Sequence, residues 1–512
     1  MKCFSKYVVC LLWLAAAGWA QSPVAKQRIP YPNPFKHVIL IIQENRTPDT
    51  LFQTLLTYPG INPANYDIAS SGLALVNGKD ELVTLTPEAL GTDYDLGHGH
   101  GSFETMWNNG KMDGANLILD VCSQGATDCK NQGIGQFLGY RYAQASDIGP
   151  YLQLAAQYGW ANYMFQTNQG PSFSAHQILF AATTADSAED DAMGVFVAGI
   201  PGAPGGGNYI GTADTGCLAP LGEVQLAIDP QSAPNTYNIY NNPLGTFCFQ
   251  HDSMATLLDS AQLPWKYYAV EAPNNPYPND PEEKGYNPQG GMFTAPNSIY
   301  NVCIPDYNQD PPVCTSQEIT ENVDLLPSDV LKDIVNCNLG SVAWVTGPGL
   351  DSDHPGQTKD TGGPSWVASI VNAIGTDKTC EQGAGYWSDT AIMVVWDDWG
   401  GWFDHVAPLI RPGNQGDDEL GFRVPFLMIS AYTPQAYVSN LRHDFGSVIR
   451  FMEGVFGFPE GALGFSDARA NTDLADFFNF KMQPRKFQMI AAPLGPQHFL
   501  NERPPFDPPD TY

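Results

Sequence analysis

The chain has 512 residues, with 24 Lys plus Arg against 54 Asp plus Glu for a formal charge of −30, yet 43% of it is hydrophobic and only 15% charged. This balance excludes a disordered acidic tail, which lacks the apolar residues for a core. It also disfavours electrostatic docking to nucleic acid or to an anionic membrane, since both need clustered Lys and Arg. With 50 Gly and 42 Pro, many connections are loops, and a helical bundle is disfavoured.

In chain order, Lys2 and Lys6 precede an almost uninterrupted apolar run from Val8 to Ala17, and the small residues Gly18 and Ala20 follow. This pattern predicts a signal peptide over 1–20, cleaved before Gln21, and a secreted or periplasmic protein. The run is shorter than the roughly 20 residues of a membrane span, so no stable anchor is expected. The length permits two or three domains, or one large α/β domain with long insertions over residues 21–512. Cys3 and Cys10 fall in the signal, and the eight remaining cysteines suggest disulfides, with Cys122–Cys129 and Cys303–Cys314 the simplest local pairs. The chain has no CxxC pair to suggest a zinc–thiolate site.

His37 to Ile42 is a nearly continuous apolar run that predicts a strand buried on both faces, ending in Gln43-Glu44-Asn45-Arg46. A glycine-rich loop, Asp95-Leu-Gly-His98-Gly-His100-Gly, follows. Trp160 to Phe165 reads as a short strand, and Gly170-Pro171-Ser172 leads into a helix over 174–183. The stretch 186–315 is rich in Gly, Pro, Asn and Tyr and reads as a loop-rich insertion or cap. Within it, 254–262 has helical spacing, and Pro201 to Gly207 is a low-complexity turn. Beyond it come a weaker strand at 341–345, the turn Asp351-Ser-Asp-His354-Pro, and a helix over 365–374. The strand 391–396 ends in Asp397-Asp398 and is followed by Gly400-Gly-Trp-Phe-Asp404-His405. A strand over 424–429 and a helix over 445–456 complete the pattern. Strands alternating with helices predict an α/β fold, a mostly parallel central sheet with helices on both faces.

In such sheets ligands bind beyond the carboxyl ends of the strands. Glu44-Asn45 and Asp397-Asp398 stand at two such ends, and three carboxylates with an amide oxygen suit one hard divalent cation. Either pair can equally cap a following turn. Ser172 stands near a helix N-terminus, where free N–H groups favour a phosphate and a developing alkoxide; it too can be a cap. His98, His354 and His405 can each donate to a phosphoryl oxygen or sit in a surface turn.

Taken in order, Glu44-Asn45-Arg46, Gly170-Pro171-Ser172, Asp353-His354-Pro355, Trp396-Asp397-Asp398-Trp-Gly-Gly-Trp-Phe-Asp404-His405, Gly421-Phe-Arg423-Val-Pro425 and Phe445-Gly-Ser447 form a specific set. The chain resembles the secreted phosphoesterase family of bacterial phospholipases C and acid phosphatases, from about residue 36 to about residue 460. That family is similar in fold to alkaline phosphatase. The resemblance implies that Glu44, Asn45, Asp397, Asp398 and Ser172 hold the cation and that Ser172 is the nucleophile. Asn45, His98 and His354 would contact the phosphoryl oxygens, with His405 beside the substrate; His98 is preferred over His100 by its spacing to Trp107. The chain departs from many members at Asp398, where they carry Glu, and at Phe445, where they carry His.

The expected activity is metal-dependent hydrolysis of small phosphate monoesters through a serine phospho-enzyme, with a phospholipase C-type diesterase as the alternative. A non-catalytic secreted binding protein is the reading from another class. The charge of −30 disfavours polyanionic substrates.

Overall fold

The computed structural model describes residues 28–122, 137–170, 172–185, 196–199, 216–218, 225–228, 237–240, 248–270, 293–309, 312–358, 361–410 and 420–503. The expected signal peptide, Cys129, Pro171 and the turn at 201–207 lie outside these residues.

Eight strands form the central sheet: β1 (His37–Gln43), β2 (Gly159–Phe165), β3 (Trp265–Tyr268), β4 (Val323–Asp324), β5 (Val342–Thr346), β6 (Thr390–Trp396), β7 (Phe426–Ser430) and β8 (Tyr437–Asp444). Their order across the sheet is β4-β3-β5-β1-β6-β7-β2-β8. Every pairing is parallel except the two made by β7, which runs antiparallel to β6 and to β2. The expected α/β class and mostly parallel sheet are therefore present. The orientation of β7 could not follow from its apolar run, because a strand buried on both faces reads the same in either direction.

The helices used below are α1 (His100–Trp107), α2 (Gly149–Gln157), α3 (Ser172–Ala181), α4 (Met254–Ser260), α5 (Gly362–Thr376) and α6 (Phe445–Phe456). Pairing register shows how they cover the sheet. Leu40 of β1 lies beside Trp344, and Gln43 beside Trp396, so these neighbours point to opposite faces. The Trp344 indole donates to the carbonyl of Leu179 in α3 at 2.9 Å. The Gln43 amide donates to the Tyr151 hydroxyl in α2 at 2.8 Å. Helices α2 and α3 thus cover different faces, which is why β1, β5 and β6 are buried along their whole length and mostly apolar. Helix α5 packs with α2, and α6 and α4 pack with α3. Capping boxes at Ser253 and Asp444 fix the starts of α4 and α6.

The stretch 186–315 is not wholly outside this core. Phe196–Gly199, Gln225–Ile228 and Tyr237–Tyr240 form a separate three-stranded sheet, but β3 is a strand of the central one. Its four residues are too few to give a periodic signal.

Disulfides join Cys303 to Cys314, as expected, and also Cys217 to Cys248 and Cys337 to Cys380. The expected Cys122–Cys129 pair lies outside the described residues through Cys129. Among the described residues no helix is long and apolar enough to cross a membrane. Cys337–Cys380 closes a separation of 43 residues. Replacing both cysteines by Ser is expected to lower stability by about 3 kcal/mol, mainly by freeing the unfolded chain. Urea unfolding checks this, and an unchanged midpoint contradicts it.

Candidate active site

Because β5, β1 and β6 are parallel and in register, their carboxyl ends open on one edge of the sheet. Strand β2 reaches the same edge, since two antiparallel pairings through β7 bring it back parallel to β6. Glu44-Asn45, Asp397-Asp398, the turn holding His354, and the segment leading to Ser172 therefore converge there.

The backbone locks the carboxylates in place. Asp397 Oδ1 accepts the N–H groups of Asn45 at 3.0 Å and Asp398 at 2.7 Å. Asp398 Oδ1 accepts the N–H of Gly400 at 2.6 Å, and its carbonyl accepts that of Arg46 at 3.0 Å. Asn45 sits at φ 58°, a left-handed conformation that Asn tolerates. Gly400 is at φ +59°, and a Cβ there would lie 2.4 Å from the Cβ of Asn45. Close approach of the two turns thus requires the glycine after Asp397-Asp398-Trp399.

Ser172 is the first residue of α3. Its hydroxyl donates toward Asp398 Oδ2 at 3.1 Å and lies 3.4 Å from Glu44 Oε2. One turn further on, His176 Nε2 is 3.2 Å from Glu44 Oε1 and 3.9 Å from Asp397 Oδ2. All five side chains are fully buried. Burial pushes the pKa of His176 down to about 4 against the pull of Asp397, so the imidazole is neutral and able to donate a lone pair.

Sequence reasoning missed His176 as a site residue. The available signal was its spacing, since Ser172 and His176 are i and i+4 on one helix face.

Asn45 Nδ2 lies 3.4 Å from His98 Nε2, which places His98 at this group. The Nδ1–H of His98 donates to the Leu96 carbonyl at 2.7 Å, and His354 Nδ1 meets the Pro355 carbonyl at 2.7 Å. These bonds orient both rings, whose centroids lie 6.2 Å apart. The His354 turn is anchored by Asp353, whose Oδ2 accepts from Tyr151 Oη at 2.7 Å and from Trp396 Nε1 at 3.1 Å. Burial raises the Asp353 pKa to about 6, with those two bonds opposing it. His100 instead meets the carbonyl of Gln169 at 2.9 Å. His405 lies in another cluster, with its ring nitrogens on Asp49 and Asp67.

Glu44, His176 and Asp397 each offer a ligand atom within 4.8 Å of the others, so they could hold a metal ion. The donors fit one. Asn45 Oδ1 and Asp397 Oδ2 are buried acceptors with no hydrogen-bond partner among the described residues. Such atoms cost about 1–3 kcal/mol each unless something satisfies them. Carboxylate and amide oxygens with one neutral imidazole make a set suited to a divalent cation.

A buried acid–serine–histidine cluster at the carboxyl edge of a doubly covered sheet is the arrangement of an enzyme site. The chain belongs to the phosphoesterase family, whose model matches residues 35–459. It is similar to a non-hemolytic phospholipase C of Pseudomonas aeruginosa, 28% identical over 198 residues, or 33% of this chain and 27% of that protein. Phospholipase C B of Mycobacterium tuberculosis is 30% identical over 179 residues, covering 31% and 33% of the two chains. A non-hemolytic phospholipase C of Burkholderia pseudomallei is 23% identical over 467 residues, covering 82% of this chain and 55% of that one. The matches thus span between 27% and 55% of these relatives' own lengths. A solved alkaline phosphatase superfamily protein from Vibrio parahaemolyticus overlaps 81% of this chain and 78% of its own at 10% identity, with a TM-score of 0.31.

Without a cation, the buried carboxylates repel one another. Glu44→Gln is therefore expected to raise the melting temperature of the chelator-treated protein and to shrink the further rise on adding Mn²⁺. Thermal melts with and without chelator read both effects. A variant that melts lower than wild type without metal, yet gains as much from Mn²⁺, contradicts this account.

Proposed function

We propose that this protein is a secreted, metal-dependent phosphoesterase that hydrolyses small phosphate monoesters through a phosphoserine at Ser172. The observation that carries the reading is the Ser172 hydroxyl, at the start of α3 and within reach of Asp398 and Glu44, in a chain of the phosphoesterase family. A divalent cation held by Glu44, Asn45, Asp397, Asp398 and Ser172, with His176 added, would lower the hydroxyl's pKa and offset the carboxylate charge.

Ser172 Oγ attacks phosphorus as the bond to the ester oxygen breaks; the serine proton passes to Asp398 Oδ2 and on to the departing oxygen, which leaves as the alcohol. Water then attacks phosphorus, the Ser172 Oγ–phosphorus bond breaks, and a proton from that water passes through Asp398 to Ser172 Oγ, releasing phosphate and restoring the hydroxyl. The N–H groups at the start of α3, Asn45 Nδ2, and His98 and His354 with a second proton on Nε2 receive the phosphoryl oxygens. Three disulfides suit an oxidising compartment outside the cytoplasm.

Monoesters are favoured because the charge of −30 repels an anionic lipid surface, and because apolar Phe445, where many members of the resembled family carry His, is buried in the core. The second reading is a phospholipase C, favoured by the names of the matching relatives. A panel of p-nitrophenyl phosphate and phosphatidylcholine on one preparation decides between them. The monoester is expected to show the higher kcat/KM, and the reverse order establishes the diesterase.

Ser172→Ala is expected to lower kcat at least about 10³-fold, since no other oxygen can form the covalent intermediate. The fold should survive, because a hydroxyl at a helix start is worth about 1 kcal/mol. Near-normal turnover by folded Ser172→Ala protein contradicts the mechanism, as does full activity after exhaustive chelation.

A further inference from the structure

We propose that His405 is a positioning residue of the Ser172 site rather than a substrate contact: as an imidazolium it joins Arg423 in fastening together the three chain segments that carry the site's donors. What those segments do rests on the phosphoesterase reading, whereas the fastening itself rests on geometry alone.

His405 Nδ1 lies 2.7 Å from Asp49 Oδ2, and Nε2 lies 3.2 Å from Asp67 Oδ1. Ionised carboxylate oxygens only accept hydrogen bonds, so both ring nitrogens must carry protons, and only the imidazolium has two. The backbone N–H of His405 donates to the same Asp49 oxygen at 2.7 Å. Burial opposes charge on the ring, but the bonds to Asp49 and Asp67 outweigh it and push its pKa up to about 10. Asp67 is in turn held well below the usual carboxylate range, chiefly by His405.

Arg423 completes the clamp from a fully buried position. It grips Asp404 with two bonds, Nε to Oδ1 and Nη2 to Oδ2, both 2.9 Å. Its Nη1 donates to the carbonyls of Asn162 at 2.8 Å and Asp67 at 2.9 Å, and Nη2 lies 3.4 Å from Asp49 Oδ1.

These contacts map onto the site. Asp49 belongs to the short helix Pro48–Leu51 directly after Glu44-Asn45-Arg46. Asp404 and His405 follow Asp397-Asp398. Asn162 is in β2, the strand that runs out toward Ser172. One cation pair therefore spans all three ligand-bearing connections. Asp49, Asp404 and His405 are also close enough to hold a metal ion. Asp404 is already held by both arms of Arg423, and the imidazole has a carboxylate on each side, so the proton supplies the positive charge. With Asp49, Asp67 and Asp404 ionised, the two cations leave the cluster at −1. Without the His405 proton it would stand at −2, with Asp49 and Asp67 no longer bridged.

The test uses the full chain with His405→Gln, which keeps one side-chain donor and removes the charge. Arg423→Lys, which cannot grip Asp404 with a planar fork, is the second variant. Hydrogen exchange by mass spectrometry is read at 44–50, 162–170 and 397–405, together with the Kd for Mn²⁺, kcat and KM for p-nitrophenyl phosphate, and Ki for inorganic phosphate. In folded His405→Gln, exchange is expected to rise in all three segments together. Mn²⁺ affinity should fall about 10-fold, as for a partner that orients a ligand from behind. The loss of activity should fall on kcat more than on KM. Exchange that rises only around residue 405, or nowhere, overturns the proposal. So does a rise in KM and Ki with Mn²⁺ affinity and exchange unchanged, which is the signature of a substrate contact. If the wild type neither binds Mn²⁺ nor hydrolyses the ester, the functional reading fails, and the exchange pattern still decides the clamp.

Discussion

Glu44, Asp397 and Asp398 place three carboxylates in full burial at one edge of the sheet, and the rest of the site is arranged around that charge. Moving a carboxylate from water into a protein interior costs several kcal/mol unless an opposite charge and hydrogen bonds compensate it. Ser172 and the amides of Asn45, Asp398 and Gly400 supply hydrogen bonds, and His176 adds a ring that burial keeps neutral. A divalent cation is the partner that such a set calls for, and a phosphate ester is a substrate whose own charge that cation can meet.

The same constraint explains why the surrounding turns are rigid. Asn45 in a left-handed conformation and Gly400 packed against it bring two strand ends closer than ordinary residues permit. Asp353, also at positive φ and tied to Tyr151 and Trp396, fixes the turn that presents His354. One layer further out, Arg423 and His405 hold the connections that follow. Donors fixed before substrate arrives need no reorganisation when charge develops at phosphorus. Strained turns persist where the surroundings over-determine them, as they do here.

Much of this was legible in the sequence, for identifiable reasons. The runs at 38–42 and 391–396 are apolar because both faces of β1 and β6 are covered, and the pairs Glu44-Asn45 and Asp397-Asp398 follow at their carboxyl ends. The place of Ser172 between a strand and a helix suited a cap as well as a nucleophile, and only the ordered set of family motifs singled it out. His176 was not legible, because every residue of α3 is buried and the helix offers no polar face against which a histidine stands out. Strands β3 and β4 are too short to show a period, and β8 has a mixed pattern with a break in register between Ser439 and Arg442. The role of His405 depends on Asp49 and Asp67, more than 300 residues away in the chain, a pairing that no local motif contains.

The central claim is that Ser172 carries the phosphoryl group during turnover. Acid quenching of the metal-loaded protein during hydrolysis of p-nitrophenyl phosphate, followed by peptide mass spectrometry, tests it most directly. The account predicts one phosphoryl group on the peptide containing Ser172, absent in Ser172→Ala and absent when the metal is removed. Steady turnover with no label on that peptide, or with the label on a histidine, would contradict it.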